Sequence, residues 1–169
     1  MKTRYIDLIE QTFDFPKDEF KLDGENLVWN DLPLVDLLKK HGTPLRITYL
    51  PKIGEKIELA RNSFAKAFAA HDYQGRYEYF YCTKSNHFSY VIDKVLDKGV
   101  NLETSSAYDL EMIELLIERG RITKESTILC NGFKDERYIK GIGRLANRGF
   151  KVVPIIDNMG EIYALDEVI

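Results

Sequence analysis

The chain has 169 residues, of which 44% are hydrophobic and 30% charged, a composition typical of one globular core with at most a small appendage. Its 24 basic and 27 acidic residues are mixed along the chain and leave a net charge of −3, so we expect neither nucleic acid nor an anionic membrane surface as a partner. Two cysteines without a disulfide spacing, and no apolar run of signal-peptide or membrane-span length, predict a cytoplasmic protein.

Residues 1–44 are predicted to form an N-terminal segment of short elements. These elements are a helix over residues 6–13, a strand over 25–29 and a helix over 32–41. Asn30 or Asp31 is the expected N-cap of the second helix, because their short polar side chains can accept hydrogen bonds from its first amides. Gly42 follows where a helix usually ends.

Residues 45–169 are predicted to form an α/β domain that begins with a strand over 45–50 and a long helix from Pro51. Apolar residues recur in this helix at spacings of three and four, namely Ile53, Ile57, Ala60, Phe64 and Phe68. Four further strands are predicted over 77–84, 100–103, 127–131 and 151–157, separated by helices over 88–98, 107–119 and 136–147. Alternation of this kind is typical of βαβ units in a parallel sheet, whose strands all end at the same edge.

A polar residue ends each of these strands, and that edge is where ligands bind in α/β folds. The expected set is Lys84, Glu103, Ser106, Asn131, Lys134 and Asp157. Lys84 ends an aromatic-rich strand, as suits an amine nucleophile that is partly desolvated, and strand alternation places Phe80 and Cys82 on its face. The alternative is an ordinary solvated lysine. Ser106 and Asp157 can equally cap helices, and Asn131 with Gly132 can equally form a turn.

Four motifs resemble the amino-terminal half of the biosynthetic arginine decarboxylases. They are YCTKSN (81–86), LETSSAYDL (102–110), ILCNGFKD (128–135) and IID (155–157) followed by Glu161 and Ile162. These decarboxylases are pyridoxal-phosphate enzymes with an alanine-racemase-like barrel of fold type III. The resemblance covers about residues 32–169, and the order of the motifs makes it more specific than any one of them.

The resemblance implies the first half of a (β/α)8 TIM-type barrel, preceded by an α/β N-terminal segment: residues 1–44 as that segment and 45–169 as a partial pyridoxal-phosphate-binding barrel. It implies decarboxylation of L-arginine to agmatine in polyamine biosynthesis, by a protein that forms homo-oligomers at full length. Lys84 matches the catalytic lysine that holds the cofactor covalently, and Glu103, Ser106 and Asn131 match cofactor-binding positions. Asp157 and Glu161 match a motif that is more structural than catalytic, and no metal is expected.

Four barrel strands are fewer than the eight of a closed barrel, so we expect a fragment that is inactive alone and has two unpaired sheet edges. Three alternatives remain open from the sequence. The first is a non-catalytic pyridoxal-phosphate-binding barrel protein, and the second is a truncated partner of a full-length enzyme. The third is a decarboxylase of another basic amino acid, such as diaminopimelate, ornithine or lysine.

Overall fold

The computed structural model describes residues 19–169, so the helix predicted over residues 6–13 lies outside the described part. The chain divides into two compact units, Met1–Thr48 and Tyr49–Ile169. No helix among the described residues has the length and apolar character needed to cross a membrane.

The described part of the first unit, from residue 19 onward, contains an antiparallel sheet of three short strands followed by one helix. The strands are β1 (Phe20–Asp23), β2 (Asn26–Trp29) and β3 (Leu32–Pro33), in the order β1-β2-β3, and the helix is α1 (Leu34–His41). The predicted helix start is wrong. Asn30 and Asp31 have φ values of +47° and +64° and form the turn between β2 and β3, because consecutive positive φ angles fit a tight hairpin turn. Helix α1 therefore begins after Pro33, without a side-chain cap.

The second unit opens with the long helix α2 (Pro51–Ala70), which starts at Pro51 as predicted. Proline suits the first turn because its missing N–H would have no partner there. The strand predicted over residues 45–50 is wrong, since these residues are irregular. No strand among the described residues pairs with them, and an apolar alternation without a hydrogen-bonding neighbour does not make a strand.

A four-stranded parallel sheet forms the centre of the second unit, as predicted. Its strands are β4 (Phe80–Cys82), β5 (Asn101–Thr104), β6 (Thr127–Cys130) and β7 (Lys151–Pro154), in the order β4-β5-β6-β7. The helices that follow them are α3 (Ser89–Leu96), α4 (Ala107–Glu118), α5 (Glu136–Asn147) and α6 (Met159–Asp166). The sheet is open, with β4 and β7 at its two edges within residues 19–169.

The hydrophobic core lies on one face of this sheet. Leu102, Thr104, Ile128 and Cys130 are buried, whereas the residues between them are only partly buried, as the alternation of a strand requires. The buried helix residues that pack with this face include Ile92, Val95, Leu110, Ile113, Ile142 and Leu145. Each fully buried aliphatic side chain of this kind contributes about 1.5–3 kcal/mol, so this face stabilises the unit.

The opposite face of the sheet is open. On this face the strand register forms one row of four neighbouring residues, one from each strand: Cys82, Glu103, Leu129 and Val153. Val153 is 46% exposed. The mixed α/β architecture with a parallel sheet is therefore confirmed, while closure into a barrel stays a prediction.

Candidate functional site

The candidate site lies at the edge of the sheet where β4, β5, β6 and β7 end. Strand β4 is shorter than predicted, and Lys84 lies in a 3-10 turn, Thr83–Ser85, that follows it. Hydrogen bonds fix this turn: the Ser85 hydroxyl donates to the Cys82 carbonyl at 2.8 Å, and the Tyr81 hydroxyl donates to the Asn86 carbonyl at 2.9 Å. Lys84 is therefore held on an ordered backbone beside the strand end.

Lys84 is exposed, so the partial burial expected of an amine nucleophile is not present in this chain. Its Nζ forms no hydrogen bond or ion pair with any of residues 19–169. The 3-10 turn also ends the strand alternation after Cys82, and the prediction that Lys84 shares a face with Phe80 and Cys82 is wrong for that reason. The amine is unpaired within this part of the chain and accessible.

A cavity of about 370 Å³ brings Lys84 together with Ser106. His87, Ser105 and Tyr108 also line it, and the sequence analysis did not single out His87 or Tyr108.

Ser106 caps helix α4, which is one of the two roles predicted for it. Its hydroxyl accepts from the Asp109 backbone N–H at 3.4 Å. The Asp109 carboxylate in turn accepts from the Ser105 backbone N–H at 2.8 Å and from the Ser106 hydroxyl at 3.2 Å. This reciprocal arrangement resembles a capping box, except that the Asp109 carboxylate accepts from the N–H of Ser105, the residue before the N-cap.

Glu103 and Asn131 are brought together by a direct hydrogen bond. The Asn131 side-chain amide donates to Glu103 Oε1 at 3.0 Å, and the Asn131 backbone N–H donates to the Thr104 carbonyl at 2.9 Å. The Asn131 Oδ1 accepts from the Gly132 backbone N–H at 2.7 Å. Asn131 therefore both forms the turn after β6 and orients a carboxylate at the end of β5.

Glu103 also lies beside the Cys82 thiol. Burial raises the pKa of this thiol, and the negative charge of Glu103 raises it further, so Cys82 is a neutral thiol at neutral pH rather than a nucleophile. Strand ends β4 and β5 are tied together as well, since the Thr83 hydroxyl donates to the Glu103 carbonyl at 3.0 Å.

Lys134 lies differently from the prediction, and Asp157 does not cap the helix that follows it. The Lys134 side chain is fully buried below the rim and pairs with Glu161 at 3.2 Å, rather than facing a ligand. Asp157 is exposed, and the cap of helix α6 is Asn158, whose side chain accepts from the Glu161 backbone N–H at 3.2 Å. Sequence spacing could not show the Lys134–Glu161 contact, because 27 residues separate its two partners.

The Glu161 carboxylate is held in its charged form. Its Oε2 accepts from the Asp157 backbone N–H at 3.0 Å and from Lys134 Nζ at 3.2 Å, and these contacts lower the pKa of Glu161 despite its burial. Its Oε1 is buried without a hydrogen-bond partner among the described residues. Across residues 19–169, no group of three or more His, Cys, Asp or Glu side chains is placed to bind a metal ion.

Comparison with known proteins supports the predicted resemblance. The chain is 28% identical over 136 residues to a biosynthetic arginine decarboxylase of Prochlorococcus marinus (strain MIT 9303). The aligned region covers 76% of this chain and 20% of that protein. It is 28% identical over 142 residues to biosynthetic arginine decarboxylase 2 of Synechocystis sp. (strain PCC 6803), covering 78% of this chain and 21% of the relative. No family model matches the chain.

A solved structure shares the fold. The crystal structure of the biosynthetic arginine decarboxylase SpeA from Campylobacter jejuni matches 99% of this chain and 29% of its own length, with a TM-score of 0.68 and 22% identity. The chain spans about a fifth of the length of the curated relatives it matches. The predicted resemblance to biosynthetic arginine decarboxylases is thus confirmed, and this chain corresponds to only a part of each of these proteins.

Proposed function

We propose that this chain supplies the lysine-bearing part of a pyridoxal-phosphate-dependent decarboxylase that acts on L-arginine in the cytoplasm and yields agmatine for polyamine synthesis. One observation supports this most strongly: Lys84, which has no partner among residues 19–169, lies at the carboxyl edge of a parallel sheet, in a chain similar to arginine decarboxylases. The substrate L-arginine is proposed from the names of those relatives.

The residues at the sheet edge fit the aldehyde end of this cofactor. An aldehyde reacts with a neutral primary amine that it can reach, and Lys84 is exposed in a cavity of about 370 Å³. Ser105 and Ser106 supply hydroxyl groups at the cavity wall. When bound, pyridoxal phosphate supplies the electron sink that allows an α-carboxylate to leave as carbon dioxide.

The chain's own residues would position the bound group rather than perform the bond cleavage. Lys84 would anchor it covalently, from a turn whose backbone is fixed by the Ser85 and Tyr81 hydrogen bonds. Glu103 presents a carboxylate whose orientation is set by Asn131, so it can accept a hydrogen bond from the bound group without reorganising. Ser106 would contribute through its helix cap, which fixes the cavity wall.

Titration of the 169-residue chain with pyridoxal phosphate tests this proposal. We expect a saturable absorbance change from covalent attachment, and we expect Lys84→Arg to remove it because a guanidinium stays protonated and does not attack an aldehyde. Lys94→Arg is the matched control, since Lys94 is also exposed and lies on the adjacent helix α3. Equal responses from the two variants would refute the assignment of Lys84.

A further inference from the structure

A buried ion pair lies directly beneath the candidate site. The Lys134 side chain is 0% exposed and that of Glu161 is 6% exposed, and their charged atoms are 3.2 Å apart. Withdrawing two charges from water is unfavourable unless each gains further hydrogen bonds. Lys134 Nζ also donates to the Gly132 carbonyl at 3.0 Å, and the Glu161 carboxylate also accepts from the Asp157 backbone N–H at 3.0 Å.

These contacts continue without interruption to the site residues. Lys134 holds the carbonyl of Gly132, and the N–H of the same Gly132 donates to Asn131 Oδ1 at 2.7 Å. The Asn131 amide then donates to Glu103 Oε1 at 3.0 Å. A single network of hydrogen bonds therefore joins the end of strand β5 to the loops after β6 and β7, and the buried pair is part of it.

The loop after β6 can adopt few other conformations that keep these hydrogen bonds. Gly132 has a φ of +80°, and a Cβ at this position would lie 2.8 Å from the Ser105 carbonyl oxygen in the loop after β5. Loss of the Lys134 contact would free the Gly132 carbonyl on one side, while the close approach to Ser105 limits movement on the other. The Asn131 backbone N–H is held separately by the Thr104 carbonyl at 2.9 Å, so the Lys134 contact acts on the side chain of Asn131 through Gly132, whose N–H donates to Asn131 Oδ1.

We propose that Lys134 and Glu161 are positioning residues, whose buried ion pair holds the loop after β6 in the conformation that lets Asn131 orient the Glu103 carboxylate. The positioning itself is independent of any cofactor. Its significance for catalysis rests on the proposed function, in which Glu103 lies beside the cofactor.

The test separates positioning from stability by replacing the pair in two ways. Lys134→Met alone leaves an unpaired buried carboxylate and is expected to destabilise the chain. Lys134→Met combined with Glu161→Leu removes both charges and is expected to recover most of the lost stability, because buried pairs are often replaceable by apolar residues. Neither variant restores the contact to the Gly132 carbonyl, so the stable double variant should still lack the Asn131–Glu103 hydrogen bond.

The readout is the Asn131 side-chain amide in ¹⁵N-labelled chain, measured without cofactor at one fixed pH. In the double variant we expect its protons to exchange with solvent about tenfold faster or more, since a hydrogen bond to a charged acceptor is lost. Lys140→Met is the matched control, because Lys140 forms an exposed pair with Glu136 on helix α5, and it should leave the exchange unchanged.

Unchanged Asn131 exchange in a folded double variant would overturn the inference. If the double variant does not fold, Lys134→Gln decides the matter, because it removes the charge and its shorter side chain takes the donor away from the Gly132 carbonyl. We expect its Asn131 signals to shift toward those of a free amide, and an unshifted spectrum would also overturn the inference. Because no cofactor is present, failure of Lys84 to bind pyridoxal phosphate would contradict the proposed function and leave this result standing.

Discussion

At the scale of single residues, Glu161 makes the stability of the chain depend on pH. The Asp157 N–H and Lys134 lower the pKa of Glu161 from its ordinary value of 4.5. A carboxyl group whose pKa is lower in the folded state stabilises the fold above its unfolded pKa, and the contribution disappears as the pH falls through the folded pKa.

Glu161→Gln should therefore reduce the free energy of unfolding by an amount that is constant above about pH 5.5 and shrinks as the pH falls below about 4.5 toward the lowered pKa of the folded chain. Urea denaturation of both chains between about pH 3 and 7 measures this difference. Other carboxylates with lowered pKa values, such as Asp97 and Glu114, are present in both chains and cancel. A difference that does not vary with pH would contradict the charged role of Glu161.

The residues at the strand ends were predictable from the sequence, but their partners were not. Lys84, Glu103 and Asn131 follow predicted parallel strands, and the rule that such strands end at one edge is enough to group them. The burial of Lys134 was not predictable, because it depends on Glu161 in a later helix. The exposure of Lys84 agrees with the alternative of a solvated lysine, and its expected desolvation was wrong because the strand pattern did not show that the chain turns after Cys82.

At the scale of elements, the loop between β6 and α5 is the most constrained connection at the site. Gly132→Ala should destabilise the fold twice over, through its positive φ and through the 2.8 Å approach to the Ser105 carbonyl. Gly99→Ala is the matched control, because Gly99 has a φ of +59° and open space around its Cβ position.

We expect Gly132→Ala to cost about 1–3 kcal/mol more than Gly99→Ala, which is the range for an added methyl group in a packed environment. Chemical denaturation of the two variants measures the difference directly. Equal costs would show that the two loops do not pack as closely as described.

Helices with a clear periodicity were predicted almost to the residue. Helix α5 matches its predicted bounds, and α4 ends one residue earlier than predicted. The strand predicted over residues 45–50 failed, because a strand depends on a distant pairing partner that local pattern does not encode. The hairpin strand β1 was missed for the same reason, although Gly24, with a φ of +61°, marks its turn.

At the scale of the whole molecule, the second unit has a sheet with one packed face and one open face. Val153 and Ile156 are exposed beside this face, at 46% and 40%, and Lys84 is exposed at its edge. Decarboxylation depends on an enclosed site of low dielectric that excludes water around the reacting group. An open sheet does not provide such an enclosure.

We therefore expect the 169-residue chain to release no carbon dioxide from L-arginine above the rate of free pyridoxal phosphate. Release of labelled carbon dioxide from carboxyl-labelled arginine measures this, with Lys84→Arg as the background control. Release that exceeds this background would show that the open sheet is sufficient for catalysis, and it would overturn the expectation that the chain is inactive alone.

The central claim is that Lys84 is the attachment site of the cofactor, and peptide mapping tests it most directly. The 169-residue chain is mixed with one equivalent of pyridoxal phosphate, reduced with borohydride and digested, and each pyridoxyl-lysine peptide is quantified by mass spectrometry. We predict that the peptide with Lys84 carries most of the label. Label spread evenly over exposed lysines such as Lys94 and Lys140, with Lys84 no more reactive than these, would contradict the account.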